Sequence, residues 1–267
     1  MNTIELATQI RKLSLEMVHK INASHIGSSL SISDILSVLY GDILRANPID
    51  PEWPERDRFI LSKGHACAAL YAALALNGFF KISDLDEYGQ NGSLLMTHIS
   101  HKVPGVEFST GSLGHGLPFG CGKALAGKRM GRKWAVFVLL SDGELNEGSN
   151  WESILFAGHH RLDNLITIID YNKIQSLGFV SDILDMNSLA EKFTAFHWSI
   201  QEIDGHDHMQ IRKSLKKARN QDNKPSCIIA HTIKGKGIDF MENSIEWHYK
   251  SPNKEQLNSA LKQLKSF

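Results

Sequence analysis

Two stretches of this chain read as continuous apolar strands, Trp134–Leu140 and Leu165–Ile169 (polar only at Thr167), and a helical segment, Trp151–His160, separates them. A strand with one wet face alternates apolar and polar side chains, whereas a strand that is apolar throughout has both faces covered. Strands of this kind alternating with helices predict a mostly parallel central sheet in a three-layer α/β/α fold. Ser226–Ala230 is a third strand of the same kind, and Phe59–Leu61 is a short buried one. Neither repeat nor linker interrupts the 267 residues, so residues 1–267 are read as a single domain.

The helices follow from apolar spacing. Leu6, Ile10, Leu13, Met17 and Ile21 recur at steps of three and four, the period of one helical face. A Ser- and Gly-rich stretch follows, from Ala23 to Ser33, and then an apolar helix over Ile35–Leu44, halted by Pro48, Pro51 and Pro54. Further helices are expected over Ala66–Leu76 and Leu113–Lys128, after the capping pair Ser188 and Glu191, from Asp207, and around Leu257, Leu261 and Leu264. Residues 81–112 read as a long irregular connection, a length usually kept for function.

Charge and cysteine content exclude several classes. Lys plus Arg number 29 and Asp plus Glu 29, so no excess charge draws the chain to nucleic acid or an anionic membrane. The three cysteines, Cys67, Cys121 and Cys227, form no paired spacing, which argues against a disulfide scaffold or zinc site. Met1–Lys20 is charged throughout, unlike a signal peptide, and no apolar run approaches about 18 residues. A cytoplasmic protein is expected.

Chemistry is concentrated where two strands end. Ser141-Asp142-Gly143 closes the first, and Asp170-Tyr171-Asn172-Lys173-Ile174 closes the second. Open parallel sheets bind ligands at their carboxyl ends. The spacing from Asp142 to Asn172 suits a turn, a helix and a neighbouring strand, so a carboxylate oxygen, an amide oxygen and a backbone carbonyl (Ile174) can converge. Such a set leaves octahedral positions for water and phosphate oxygens, the usual manner of holding Mg²⁺.

The run Ser141-Asp142-Gly143-Glu144-Leu145-Asn146-Glu147-Gly148, then Trp151-Glu152 and Asp170-Tyr171-Asn172-Lys173, resembles the thiamine diphosphate motif of transketolases, with Ser141 where glycine is usual. Other segments resemble that family in the same order. They are Ser24–Leu30 with Ile26 in place of proline, Asp57–Ala66, Met96-Thr97-His98 before Pro104–Glu107, Ser109–Gly116 with His115 in place of glutamine, and Gly237–His248. The resemblance runs from about residue 10 to residue 260. It implies thiamine diphosphate and Mg²⁺ (or another divalent cation such as Ca²⁺ or Mn²⁺), the metal held by Asp142, Asn172 and Ile174. It also implies cofactor contacts from His65, Gly111, Ser112, Leu113, Gly114, Asp142, Gly143, Glu147, Asn172 and His248.

By the same resemblance His25, His65, His98 and His248 are the catalytic histidines. His25 and His248 would move protons, His98 would meet the donor's hydroxyls, and His65 would lie near the diphosphate. His101 competes with His98, and His115 either meets cofactor or caps its turn. Glu147 is expected at a subunit interface, and Glu152 is left unassigned. His159, His160 and His208 are read as structural, and Lys234-Gly235-Lys236-Gly237 as a loop near the site entrance, since it lacks P-loop spacing.

Transketolases transfer a two-carbon ketol unit from a ketose phosphate to an aldose, with the cofactor performing the carbon–carbon chemistry. The resemblance covers only their first domain, so a separate C-terminal transketolase subunit carrying the pyrimidine-binding domain is the expected partner, in an α₂β₂ assembly. Two other readings stand beside this: a related thiamine diphosphate enzyme, such as a 1-deoxyxylulose-phosphate synthase or one of a specialised sugar pathway, and a non-catalytic regulatory paralogue.

Overall fold

The computed structural model describes residues 1–265. Its helices and strands, in chain order, are α1 (Thr3–Lys20), α2 (Ile26–Ser31), α3 (Ser33–Val38), β1 (Arg58–Leu61), α4 (Cys67–Leu76), α5 (Gly116–Arg129), β2 (Val136–Ser141), α6 (Gly148–His159), β3 (Leu165–Tyr171), α7 (Val180–Ile183), α8 (Leu189–Ala195), β4 (Ser199–Asp204), α9 (His208–Arg219), β5 (Ser226–His231) and α10 (Lys254–Gln263). The strands form one sheet in the order β1-β2-β3-β5-β4. All four pairings are parallel, with Asp142 and Asn172 following strand ends paired through Ser141 and Asp170.

Alternation along each strand divides the core into two layers. Phe137, Leu139, Ile166, Ile168 and Ile228 face the helices α1 to α4, α9 and α10. Val136, Val138, Leu140, Leu165 and Ile229 face α5, α6 and α8. Both sides of the three inner strands are dry, which is why their sequences are apolar without alternation. On the second face α5 lies close to the sheet: a Cβ on Gly120 would stand 2.7 Å from Val138 Cγ2.

The structure departs from the sequence reading at several places. The Ser- and Gly-rich stretch contains the buried helix α2, whose Ser31 bonds Asp170 inside the protein, and Ser33, opening α3, bonds the Ser29 carbonyl. The helix expected over Ile35–Leu44 is α3 continued by a wider turn, Leu39–Ile43. The helix expected from Leu113 begins at Gly116, because residues 111–115 form the turn ahead of it. Strand β4 has no counterpart in the sequence pattern. Beyond α4, residues 81–115 hold only a short helical turn, Ile82–Glu87, as the irregular connection predicts.

A buried ionic network joins α1, α3 and the start of α9. Asp34 receives two bonds from the Arg11 guanidinium, a third from His206 at 2.7 Å and a fourth from His208 at 3.1 Å. Burial alone would raise the Asp34 carboxyl, but Arg11, then the two histidines, hold it well below the usual carboxylate range. His206 Nε2 also accepts the Ile233 backbone N–H at 2.9 Å, so its proton sits on Nδ1, facing Asp34. Replacing Asp34 by Ala strands a buried guanidinium and should cost about 3–5 kcal/mol in urea denaturation. A loss under about 1 kcal/mol, the scale of an exposed pair, would show the network to be a spectator.

Candidate active site

A cavity of about 240 Å³ opens at the carboxyl ends of the strands. Its lining brings together residues far apart in sequence: His25, His65, His98, Gly111, Leu113, Asp142, Gly143, Asn172, Ile174 and His248, all expected at the site. Ser112 and Gly114 adjoin it without lining it. Gly114 has φ +80° and spends its N–H on Glu144 Oε1 at 3.0 Å; a Cβ there would meet Ser149 Oγ at 2.6 Å. Glu147 lies outside the cavity and is exposed. His101 bonds Ser109 Oγ, and His115 bonds the Leu113 carbonyl beside the N-terminus of α5, so neither ring lines the cavity. His159 and His160 are exposed at the far end of α6, and His208 belongs to the Asp34 network.

The floor is built from two buried carboxylates with opposite fates. Asp170, at the end of β3, is fully buried and pairs with the equally buried Lys63 ammonium. It also accepts from Ser31 Oγ at 2.7 Å, from Asn172 Nδ2 at 2.9 Å and from Thr232 Oγ1. Burial pushes its carboxyl up, but Lys63 and these donors bring it below the ordinary value. Asp142, 2% exposed, has no ion pair among the described residues and accepts only the backbone N–H groups of Gly143 and Lys173. Burial, then repulsion from Asp170, pushes it up to about 7. A carboxylate desolvated this far without an ion-pair partner could hold a cation.

The neighbouring donors suit the same guest. Asn172 gives its amide N–H to Asp170, which fixes the amide oxygen in the opposite direction, where it accepts the Ile174 N–H at 3.1 Å. The Ile174 carbonyl accepts Lys234 Nζ at 3.0 Å, so that oxygen faces the cavity and draws positive charge. Carboxylate, amide and carbonyl are all hard oxygen donors, a set that fits Mg²⁺, Ca²⁺ or Mn²⁺ and not zinc. For an anion, the cavity offers Lys234, only 1% exposed, and Gln175 Nε2, a buried donor without a partner among the described residues.

Sequence reasoning places Lys234 at the entrance; it stands instead in the wall. It bonds His248 Nδ1 at 2.8 Å, and burial, then Lys63, pulls its ammonium down to about 8. Lys63, Asp170 and Glu144 are likewise neighbours of the site that the sequence reading does not single out, and Tyr249 also lines the cavity. Glu144, fully buried, accepts from Ser62 Oγ and from the Gly114 and Ser141 N–H groups, bracing the 141–144 turn against the 111–116 turn. A signal exists for Lys63, which stands within the resembling segment Asp57–Ala66. Nothing in a sequence marks a lysine as buried.

Histidines crowd one wall. The His25 ring lies 5.1 Å from His65 and 5.0 Å from His248, with His98 at 5.8 Å. Burial, then His98, brings His25 down to about 4; burial, then Lys234, brings His248 down to about 3. Burial, then Lys63, holds His65 well below 6.5. At neutral pH these three rings are uncharged and able to accept a proton. His25 adopts φ 72°, a left-handed conformation, and its N–H donates to the His248 carbonyl at 2.7 Å. Backbone conformations of this kind cost about 1–3 kcal/mol and persist where surrounding structure imposes them.

The chain is also similar to known proteins. Residues 3–265 match the family described as "Transketolase, thiamine diphosphate binding domain". The chain is 41% identical to the 6-deoxy-6-sulfo-D-fructose transketolase subunit SqwG of a Clostridium species, over 97% of this chain and 94% of that relative. It is 39% identical to one of the subunits of the apulose-4-phosphate transketolase of Phocaeicola vulgatus, over 98% of this chain and 94% of the relative. Among solved structures it superposes on the transketolase of Campylobacter jejuni with a TM-score of 0.94 at 36% identity. That match covers 99% of this chain and 43% of the other, so the chain spans about two fifths of a long transketolase.

The Asp142 carboxyl should be half-protonated near pH 7 in the metal-free chain, as read by carbon-detected NMR titration. Asp170→Asn removes the repelling charge and should lower that midpoint. A midpoint near the ordinary value of about 3.9 in the unaltered chain would refute this electrostatic reading.

Proposed function

The chain belongs to the transketolase family, in its thiamine diphosphate-binding domain, and we propose that it forms the diphosphate-and-metal half of a two-chain ketol transferase. As a transketolase N-terminal subunit it is part of a transferase. The observation that carries the site assignment is the convergence of Asp142, Asn172 and Ile174 on one cavity with four histidines. Asp142, Asn172 and the Ile174 carbonyl hold the divalent cation, Mg²⁺ or another such as Ca²⁺ or Mn²⁺. His65, Gly111, Ser112, Leu113, Gly114, Gly143 and His248 form the seat of thiamine diphosphate, and Lys234 and Gln175 add positive charge and a donor for its phosphates. The bound cofactor supplies the carbon–carbon chemistry.

The chain's own side chains orient the sugar and carry its protons. His25 and His248, neutral at physiological pH, take and return hydroxyl protons, and His98 orients the donor. Burial above all, with the buried Lys234 and Lys63 adding to it, keeps these rings unprotonated. Glu147, exposed beside the Gly114 turn, lies at an interface between subunits. The sugars are a ketose phosphate donor and an aldose acceptor; both named relatives act on sugars with an anionic tail.

Support for a partner comes from relatives that match over nearly their whole length and are named as subunits. That partner is a C-terminal transketolase subunit bearing the pyrimidine-binding domain, joined as α₂β₂ in the cytoplasm. No described helix is long and apolar enough to cross a membrane.

Asp142→Ala should abolish Mg²⁺-dependent thiamine diphosphate binding to the mixed subunits, followed by calorimetry, while circular dichroism stays unchanged. Ketol transfer should require both chains. Retained metal-dependent binding in Asp142→Ala would refute the site, and full activity of this chain alone would refute the partner.

A further inference from the structure

Where the cavity opens stands a side chain to which the proposed chemistry gives no work. Tyr249 lines the cavity next to His248, yet is 62% exposed. Its ring meets His248 edge-on at 4.7 Å and His25 at 5.9 Å. Its phenol hydroxyl has no hydrogen-bond partner among the described residues.

The ring's position is fixed by backbone, not by its own polar group. The Tyr249 carbonyl accepts from Ser24 Oγ at 3.1 Å, and one residue along the His25 N–H donates to the His248 carbonyl. Two links thus tie segment 24–25 to segment 248–249. Behind them Trp247 is buried, 3% exposed, and donates its indole N–H to the Phe240 carbonyl at 2.8 Å. The tyrosine therefore projects from a braced strip of chain whose neighbour is a proposed proton-transfer residue. Aromatic rings at such edges offer an apolar face and a polar tip at little entropic cost, since only two side-chain torsions need fixing.

We propose that Tyr249 is a specificity-determining residue that packs its ring against the carbon chain of the sugar and hydrogen-bonds one of its hydroxyls through the phenol. The proposal rests on the transketolase reading: with the reacting carbons held between His25 and His248, the rest of a long sugar leaves the cavity past this ring. The substrate class it favours is a polyhydroxylated chain of five or more carbons. A three-carbon donor ends before the ring and is indifferent to it.

The test uses this chain assembled with its C-terminal partner, thiamine diphosphate and Mg²⁺, assayed with fructose 6-phosphate and with the three-carbon donor hydroxypyruvate. Tyr249→Phe should raise KM for fructose 6-phosphate by about threefold to tenfold, the scale of one neutral hydrogen bond. Tyr249→Ala should raise it further. In both variants KM for hydroxypyruvate, cofactor affinity, the binding of one chain to the other and Tm should stay as in the unaltered enzyme. Unchanged KM for the long sugar in both variants overturns the inference alone. Equal effects on both donors, or weakened cofactor or partner binding, make the ring a prop or an interface residue and also overturn it. If the unaltered pair binds cofactor but uses neither donor, the transketolase reading fails and takes this inference with it.

Discussion

The arrangement of the site depends on the buried pair between Asp170 and Lys63. Both side chains are wholly excluded from solvent, and the aspartate sits where β3 ends. Four groups converge on its carboxylate: Lys63 after β1, Ser31 at the end of α2, Asn172 after β3 and Thr232 after β5. Each tether sets a functional neighbour. Lys63 precedes His65 by two residues, α2 begins directly after His25, Thr232 precedes Lys234 by two, and Asn172 is itself a proposed ligand. Removing one charge of such a pair leaves the other buried and uncompensated, which is far costlier than never having buried either.

Beside it, Asp142 is the same chemical group in nearly the same burial with the opposite electrostatic outcome. Asp170 has its cation built into the fold and stays ionised; Asp142 lacks one and is pushed up to about 7. That asymmetry makes one carboxylate structural and makes the other the proposed ligand of the cation. Burial above all holds His25 and His248 in their neutral forms, and the two buried lysines add to it at longer range. Stability and chemistry therefore draw on one set of charges at the carboxyl edge of the sheet.

The sequence discloses those features that rest on local pattern. The central residues of β2, β3 and β5 are nearly all apolar because both faces are covered, and that burial is written directly into residue type. β4 escapes detection because Ser199–Asp204 is an edge strand, mostly half-exposed, with polar residues that do not announce a core. α2 escapes it because its serines have weak helical preference and Ser31 is held by a tertiary bond to Asp170 that no window can register. At the site, the motif after β2 and β3 and the four histidines are legible through family resemblance, and the structure gathers them in one cavity. Lys63, Lys234 and Asp170 carry no periodicity or spacing of their own; their burial exists only once four segments have folded together.

The proposed metal seat is best tested by a crystal structure of the two-chain assembly grown with thiamine diphosphate and Mn²⁺, with the cation located by its anomalous signal. One peak is expected at coordinating distance from an Asp142 carboxylate oxygen, the Asn172 amide oxygen and the Ile174 carbonyl, with Asp170 still bonded to Lys63. A cation bound elsewhere, with Lys234 still on the Ile174 carbonyl and Asp142 unliganded, would be incompatible with that seat.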